Sequence, residues 1–240
     1  MVLRIADFYI DLANKGEVFK RLCKDYLCKN PPYIDFTAEI AEKDVAYERA
    51  LAGNSEIVGE GTYATNALYR KICAEFLQRG AFLMHGVVIE YEGKGYLFTA
   101  KSGTGKTTHV LQWKKLFGDD KVTIVNGDKP IIRFIDGKVY AYGTPWNGKE
   151  HYGTNGRVEL SAICFVERSE ENSIERISDE KALPRLFSQI MIHDSSDLAK
   201  QLELVDKLLC KVPTYLLNCN ISTDAAKVAY EGMCPSEDKK

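Results

Sequence analysis

The sequence predicts an α/β fold, a three-layer core built around a mixed β-sheet. Short apolar runs typical of strands alternate with stretches of helical periodicity in the second half of the chain. Some neighbouring runs are joined by tight turns and others by helices, and one glycine-rich loop lies directly between a strand and a helix. Because hairpins join antiparallel strands and helical crossovers join parallel ones, we expect both pairings in one sheet.

The first 80 residues are predicted to form an α+β elaboration that packs on a core of residues 81–240. No repeat, low-complexity tract or flexible linker divides the chain, so we expect one compact domain overall. Alternating apolar residues predict a strand over residues 5–12, and helical spacing predicts helices over residues 17–27 and 62–79. Two prolines at positions 31 and 32 end any helix there, so extended chain is expected next.

The core elements follow from the same patterns. Residues 82–91 and 95–100 are predicted to form a β-hairpin around the turn Glu-Gly-Lys-Gly. A helix is predicted over residues 106–116, and strands over residues 122–126, 131–135, 138–143, 160–168 and 214–219. We expect two helices between residues 178 and 210, and a last helix that begins at the capping residues Ser222 and Thr223. The acidic run 167–176 is predicted to be a solvated turn.

Composition limits the classes of function. The chain has 240 residues, with 32 Lys and Arg against 34 Asp and Glu, a formal net charge of −2. This balance argues against nucleic-acid binding, which needs an excess of cations. The longest apolar runs are too short for a membrane span, and the first residues do not resemble a secretory signal, so we expect a soluble cytoplasmic protein. Seven cysteines without a Cys-x-x-Cys pair argue against a disulfide framework or a zinc site.

The strongest motif is AKSGTGKTT, residues 100–108, between a predicted strand and a predicted helix. This context is typical of a phosphate-binding P-loop, although Ala stands where the strict motif begins with Gly. The glycines allow backbone N–H groups to surround an anion at the positive end of the helix. Lys106 is then expected to reach the β- and γ-phosphates, and the Thr107 hydroxyl to hold Mg²⁺. The alternative is a plain glycine-rich turn. The predicted nucleotide-binding residues are Ser102, Gly103, Thr104, Gly105, Lys106, Thr107 and Thr108.

A phosphate site with Mg²⁺ needs a carboxylate, and Asp128 is the first one after the strand 122–126. This strand follows the helix and is expected to return parallel, so that its carboxyl end lies beside the loop. Asp128 is therefore a candidate metal ligand or general base. The alternative is a surface turn, because Asn-Gly-Asp-Lys is also favourable turn chemistry.

Further candidates lie before the loop and after Asp128. His85 is either a buried histidine bonded to a backbone carbonyl or a group that assists a general base. The segment Gly-Thr-Pro-Trp-Asn-Gly-Lys-Glu has the composition of a substrate loop. It offers Trp146 for stacking, Asn147 for hydrogen bonding, Lys149 for anion binding and Glu150 for metal binding. Trp and Pro in such a loop are also ordinary packing anchors.

Residues 85–108, HGVVIEYEGKGYLFTAKSGTGKTT, resemble the catalytic domain of HPr kinase/phosphorylase. The loop SGTGKTT also resembles that of phosphoenolpyruvate carboxykinase, whose nucleotide fold is related, and the likeness extends over residues 81–177. The resemblance implies an ATP- and Mg²⁺-dependent kinase that transfers the γ-phosphoryl group to a hydroxyl, on a protein, a peptide or a small alcohol. It also implies that Lys106 and Thr107 bind phosphate and metal, that Asp128 deprotonates the acceptor, and that His85 lies near it.

Two departures from the family pattern keep other functions open. The kinases have two adjacent aspartates after the strand, and here Gly127 replaces the first. The family's Arg-Gly-Leu-Gly signature is absent, and residues 143–153 occupy its region. A catalytically weak nucleotide-binding regulatory module is therefore the alternative, and carboxykinase chemistry is disfavoured by length. We expect a nucleotide and a hydroxyl acceptor as partners, no nucleic acid and no membrane, with a homo-oligomer left open.

Overall fold

The computed structural model describes residues 1–14, 16–53, 59–190 and 197–234. The N-terminal part forms a small sheet, in which β1 (Val2–Ile5) pairs antiparallel with β2 (Phe8–Leu12) and β2 pairs parallel with β3 (Phe36–Ala38). Within these ranges three α-helices accompany it, α1 (Glu17–Leu22), α2 (Glu42–Leu51) and α3 (Glu60–Gln78), and a short 3₁₀ helix at Lys24–Tyr26 follows α1. The single strand predicted over residues 5–12 is wrong. Ala6 and Asp7 have φ values of 52° and 59°, and this left-handed turn divides the segment into two strands.

The remaining strands form one mixed sheet with two branches that share a long strand. The strands are β4 (Ala81–Leu83), β5 (Val87–Tyr91), β6 (Lys94–Thr99), β7 (Val122–Asn126), β8 (Ile131–Ile135), β9 (Lys138–Tyr142), β10 (Arg157–Arg168), β11 (Ser173–Arg176) and β12 (Thr214–Cys219). The start of β10 pairs antiparallel with β9, which continues to β8 and β4. The rest of β10 lies parallel to β6 on one side and to β12 on the other. Beyond β6 follow β5 and β7, each antiparallel to its neighbour. The predicted mixed sheet is therefore confirmed.

Most predicted boundaries in this part are confirmed within a few residues. The hairpin between β5 and β6 turns at Glu92 and Gly93, whose φ values of 53° and 73° are those of a tight hairpin turn. Two details differ from the prediction. The apolar run 82–91 is broken after β4, because β4 and β5 pair with different strands. Residues 173–176 form the edge strand β11 and not a turn, since their mostly exposed side chains give no apolar signal.

Helices cover both faces of the sheet, as the three-layer prediction requires. They are α4 (Lys106–Phe117), α5 (Asp179–Phe187), α6 (Leu198–Leu209) and α7 (Thr223–Met233). Phe98 of β6 lies in an apolar cluster with Trp113 of α4 and with α7. Its neighbour Leu97 lies in a second cluster with α5 and α6 on the other face, because side chains alternate along a strand. The cap predicted at the last helix is present, since Ser222 Oγ accepts a hydrogen bond from the backbone of Ala225.

The N-terminal part and the sheet share a third apolar cluster. Phe76 of α3 packs there with Phe8, and the cluster continues to Ile131 of β8 and Tyr142 of β9. The proposed division at residue 80 stays a prediction. Among the helices within the described ranges, none combines the length and the apolar character that crossing a membrane requires.

Candidate functional site

One edge of the sheet collects the carboxyl ends of several strands. β6, β10 and β12 are mutually parallel, so Thr99, Arg168 and Cys219 end at the same edge. β7 runs antiparallel to β5, which runs antiparallel to β6, so Asn126 also ends there. As expected, β7 runs in the same direction as β6, although β5 lies between them. Residues from four strand ends can therefore converge at this edge.

The glycine-rich loop, residues 100–105, crosses this edge between β6 and the start of α4. Gly103 and Gly105 have φ values of 79° and 115°, conformations that side-chain-bearing residues rarely adopt. A Cβ atom on either would meet nothing within 4 Å, so backbone conformation rather than crowding requires glycine here. The first turn of α4 has amides without a helical partner, and they lie at the positive end of the helix dipole. The loop therefore has the backbone features of an anion site.

Lys106 lies over this loop as a buried cation. Its Nζ donates hydrogen bonds to the carbonyl oxygens of Ala100 at 2.9 Å and Lys101 at 3.4 Å, and only 7% of the residue is exposed. Burial lowers the pKa of Lys106, and the negative charge of Asp128 opposes that decrease. The ammonium group is thus held at the loop, where the charge of Asp128 acts on it.

Arg168 fixes the loop from the neighbouring strand, a contact that the sequence analysis missed. Its Nε donates to the carbonyl oxygen of Thr104 at 2.9 Å, and its Nη2 donates to that of Gly103 at 2.6 Å. The available signal was its position as the last residue of a predicted strand, at the edge that parallel strands share.

Asp128 lies in a turn organised by Asn126, which is fully buried. Asn126 Oδ1 accepts hydrogen bonds from the backbone N–H groups of Asp128 at 2.9 Å and Lys129 at 2.7 Å. Asn126 Nδ2 donates to the Oγ1 of Thr144 at 3.1 Å. The carbonyl oxygen of Asp128 accepts from the backbone of Gly86 at 2.8 Å. The turn chemistry noted in the sequence is real, and it fixes the carboxylate beside the residues that follow β4.

His85 lies between Asp128 and the end of α5. Its Nε2 is 3.5 Å from Asp128 Oδ1, and its Nδ1 is 3.0 Å from Gln189 Oε1. Burial lowers the pKa of His85, and the charge of Lys106 lowers it further, whereas the Gln189 hydrogen bond and Asp128 raise it. The net effect is a pKa below the ordinary value for histidine. The ring contacts two side chains, so the alternative of a histidine bonded to a backbone carbonyl does not describe it.

The segment predicted as a substrate loop divides into a buried and an exposed part. Trp146 is only 9% exposed, and its ring contacts that of Tyr69 edge-on at 4.8 Å. The packing alternative therefore describes Trp146, and a stacking role is not available to it in this arrangement. Lys149 and Glu150 are exposed, and Asn147 is partly buried next to Gly153.

Gly148 brings the loop against Asp128. Its φ is 84°, and a Cβ atom built on it would lie 3.3 Å from Asp128 Cβ and 3.5 Å from Glu150 Oε2. Asp128 and Glu150 therefore border the same backbone position. Glu150, one of the predicted substrate residues, thus lies near the same glycine as Asp128.

Gly127 has no room for a side chain. A Cβ atom there would lie 2.9 Å from the carbonyl oxygen of Asn147 and 3.0 Å from that of Tyr152. Its own N–H donates to the Tyr152 carbonyl oxygen at 2.8 Å. The backbone of residues 147–152 thus occupies the space that an aspartate would need.

Two cavities flank the loop. One, of about 680 Å³, is lined by the loop, by the end of β10 and by Arg185, Ser188 and Gln189 near the end of α5. The other, of about 510 Å³, lies on the α4 side and is lined mainly by apolar groups, including Val166, Cys219 and Ile221. Both are large enough for a nucleotide or a small substrate.

These features define a class, an α/β protein with a glycine-rich strand-to-helix loop and a cluster of ionisable groups at one sheet edge. No family model matches the chain, and neither does a curated protein. Among solved structures, the chain is similar to the HPr(Ser) kinase/phosphatase from Coxiella burnetii, at 11% sequence identity and a TM-score of 0.37. That similarity covers 62% of this chain and 94% of the other. It is a distant structural similarity.

Proposed function

We propose that the protein is a cytoplasmic kinase that transfers the γ-phosphoryl group of ATP to a hydroxyl, with Mg²⁺ as cofactor. The observation that carries the proposal is the cluster of Lys106, Asp128 and His85 beside the glycine-rich loop. Lys106 Nζ lies 2.9 Å from the loop carbonyl oxygen of Ala100, and His85 Nε2 lies 3.5 Å from Asp128 Oδ1. Phosphoryl transfer needs a cradle for phosphate, a cation and a carboxylate in one place, and this edge of the sheet supplies all three.

The loop and α4 bind the donor nucleotide in this proposal. Backbone N–H groups of residues 102–108 surround the phosphates, and Lys106 contributes the positive charge. The Thr107 hydroxyl and the Asp128 carboxylate are oxygen ligands of the kind that Mg²⁺ prefers. Bound Mg²⁺ would neutralise charge on the phosphates. Arg168 holds the loop carbonyls, so that the amides keep their orientation.

The acceptor step uses Asp128 as general base. The acceptor oxygen bonds to the γ-phosphorus as the bond to the ADP oxygen breaks, and the hydroxyl proton moves to Asp128. His85 lies 3.5 Å from that carboxylate and orients the acceptor. Asn147, Lys149 and Glu150 contact the rest of the acceptor, which is a seryl hydroxyl of a protein or peptide, or a small alcohol.

The test replaces Lys106 with Met and compares it with Lys115→Met, which removes an exposed lysine at the other end of the same helix. Mg-ATP binding is measured by calorimetry, and ADP release is measured over a panel of hydroxyl acceptors. Lys106→Met should weaken binding and reduce transfer about 100-fold or more, because one charge on the transferred group is no longer matched. Lys115→Met should match the wild type. Normal transfer by Lys106→Met would refute the proposal.

A second variant separates binding from chemistry. Asp128→Asn keeps the shape of the side chain and an amide oxygen that can still face Mg²⁺, but it removes the base. Nucleotide binding should therefore largely persist while transfer falls about 100-fold or more. If Asp128→Asn keeps both nucleotide binding and normal transfer, Asp128 does not have the proposed role.

A second candidate function is nucleotide binding without turnover, as in a regulatory module. It is favoured by Gly127, where the backbone of Asn147 and Tyr152 leaves no space for a second carboxylate. This candidate predicts that the wild type binds Mg-ATP or Mg-ADP tightly. It also predicts that the wild type releases ADP no faster than Asp128→Asn does. Turnover that depends on Asp128 would exclude it.

A further inference from the structure

A chain of hydrogen bonds runs from the end of α5 to His85. Ser188 Oγ donates to the carbonyl oxygen of Arg185 at 2.7 Å. Gln189 Nε2 donates to Ser188 Oγ at 2.8 Å, and Gln189 Oε1 lies 3.0 Å from His85 Nδ1. The backbone N–H of His85 also donates to the Gln189 carbonyl oxygen at 2.8 Å. Gln189 is about nine-tenths buried, so water does not compete freely for its contact with His85, whereas Ser188 is exposed.

The direction of this chain determines where the histidine proton lies. A serine hydroxyl has one proton, and Ser188 gives it to the Arg185 carbonyl oxygen, so Ser188 can only accept from Gln189. The amide nitrogen of Gln189 must therefore point to Ser188 and its oxygen to His85. An amide oxygen only accepts, so His85 Nδ1 must carry the hydrogen. In the neutral ring, Nε2 is then without hydrogen.

This tautomer matters because Nε2 faces Asp128 Oδ1 at 3.5 Å. With hydrogen on Nδ1, both Nε2 and the carboxylate are acceptors, and a hydroxyl that approaches the pair from one side can donate to either. With hydrogen on Nε2, the ring would donate to Asp128 Oδ1 and take the acceptor position of that oxygen that faces the ring. Control of a histidine tautomer by the partner of its other nitrogen is a general device in catalytic sites.

We propose that Gln189 is a positioning residue, which holds neutral His85 as the Nδ1–H tautomer and so keeps Asp128 free to accept from a substrate hydroxyl. The consequence for turnover rests on the proposed kinase function, whereas the tautomer does not. Gln189 and Ser188 also line the cavity of about 680 Å³ beside the loop, so the amide lies at the wall of a space open to ligands.

The test reads the tautomer directly by ¹⁵N NMR of the His85 ring, in the intact chain, at a fixed pH where the ring is neutral. A His85→Asn sample assigns the signals. The wild type should show hydrogen on Nδ1. Gln189→Met, which has similar length but no polar atoms, should shift the ring toward hydrogen on Nε2. Gln189→Glu keeps an acceptor facing Nδ1 and should retain the wild-type tautomer. Gln78→Met, a change at the end of α3, should leave the signals unchanged.

Kinetics give the second measurement. Gln189→Met should lower kcat about tenfold or more with the KM for ATP nearly unchanged, and Gln189→Glu should recover most of that loss. Hydrogen on Nε2 in the wild type would overturn the proposal, and so would an unchanged tautomer in Gln189→Met. If the tautomer follows Gln189 but no variant or wild-type sample transfers phosphate, the kinase proposal fails and the positioning role remains. A circular dichroism spectrum confirms folding. If Gln189→Met does not fold, the wild-type tautomer still decides, because hydrogen on Nε2 overturns the proposal.

Discussion

Arg168 Nε donates a 2.9 Å hydrogen bond to the carbonyl oxygen of Thr104, and so joins the end of β10 to the glycine-rich loop after β6. The guanidinium group also reaches the carbonyl oxygen of Gly103. Two adjacent strands and the loop that leads from β6 to α4 are thereby fixed in one arrangement. Because Arg168 holds these carbonyl groups, the loop amides are left free to face the phosphate of the proposed function.

Arg168→Ala should weaken Mg-ATP binding about tenfold. A hydrogen bond that involves a charged group contributes about 1.5–3 kcal/mol, and partial exposure of this arginine reduces the effect. Calorimetric titration measures the change. Arg176→Ala, which removes an exposed arginine from the edge strand β11, is the matched control and should bind as the wild type does. Equal affinity of Arg168→Ala and the control would show that the loop keeps its shape without Arg168.

Gly127→Ala should destabilise the fold by about 1–3 kcal/mol, because its Cβ would lie 2.9 Å and 3.0 Å from two carbonyl oxygens of the facing loop. Urea denaturation measures the loss. Gly59→Ala is the control, since a Cβ there meets nothing within 4 Å, and it should change stability by less than about 1 kcal/mol.

A Gly127→Asp variant extends this prediction. Introducing an aspartate here should not increase turnover in the proposed reaction, because the backbone of residues 147–152 must move to admit it. A stable, faster Gly127→Asp protein would contradict the steric account of this position.

Trp146→Phe should leave the KM of every accepted substrate unchanged. The indole is buried against Tyr69, and its Nε1 has no hydrogen-bond partner among the described residues, so a smaller ring preserves the main contact. Trp146→Ala should cost about 3–5 kcal/mol through the cavity it leaves. Steady-state kinetics and urea denaturation measure the two effects. A large rise in KM for Trp146→Phe, at normal stability, would return this side chain to a substrate role.

Asp7 makes stability depend on pH below about 4. Burial by itself raises the pKa of Asp7, but hydrogen bonds from Tyr142 and Arg4 and the charges of Arg4 and Arg157 lower it below the unfolded value of 3.8. A carboxyl group with a lowered pKa stabilises the fold above its unfolded pKa, and this contribution disappears as pH falls through the folded pKa. The ionised Asp7 should therefore stabilise the protein at pH 7 and contribute little near pH 3.

Asp7→Asn tests this, because asparagine also tolerates the positive φ of 59° at this position. The variant should be about 1 kcal/mol less stable than the wild type at pH 7, with a smaller difference at pH 3. Urea denaturation at both values measures it, and Asp120→Asn, at an exposed turn, is the control. A difference that does not depend on pH would show that the ionised form is not the stabilising one.

Local patterns predicted much of the core from sequence, as particular elements illustrate. The bounds of β7, β8 and β12 were predicted to the residue, because each is a short apolar run between turn residues. The first hairpin was missed, since Ala6 and Asp7 carry no glycine signal for their left-handed turn. β11 was missed because an exposed edge strand needs no apolar face.

The site was predicted in part, and its residue roles remain predictions. Lys106 and Asp128 were selected because the loop motif and a strand end are local signals. Trp146 was assigned to substrate because sequence does not reveal burial against a helix more than 70 positions earlier. Arg168 and Gln189 were missed because each acts on a segment distant in the chain.

The sequence by itself determined the elements, the glycine-rich loop and the ionisable residues available to it, since these depend on neighbours along the chain. Only the tertiary structure decided which of those residues meet. His85 contacts Gln189 across 104 positions, and that contact exists because Met84 forms an isolated bridge to Ile190 at the end of α5. Contacts of this kind follow from the packing of strands and helices, in which small differences among many distant interactions select one arrangement.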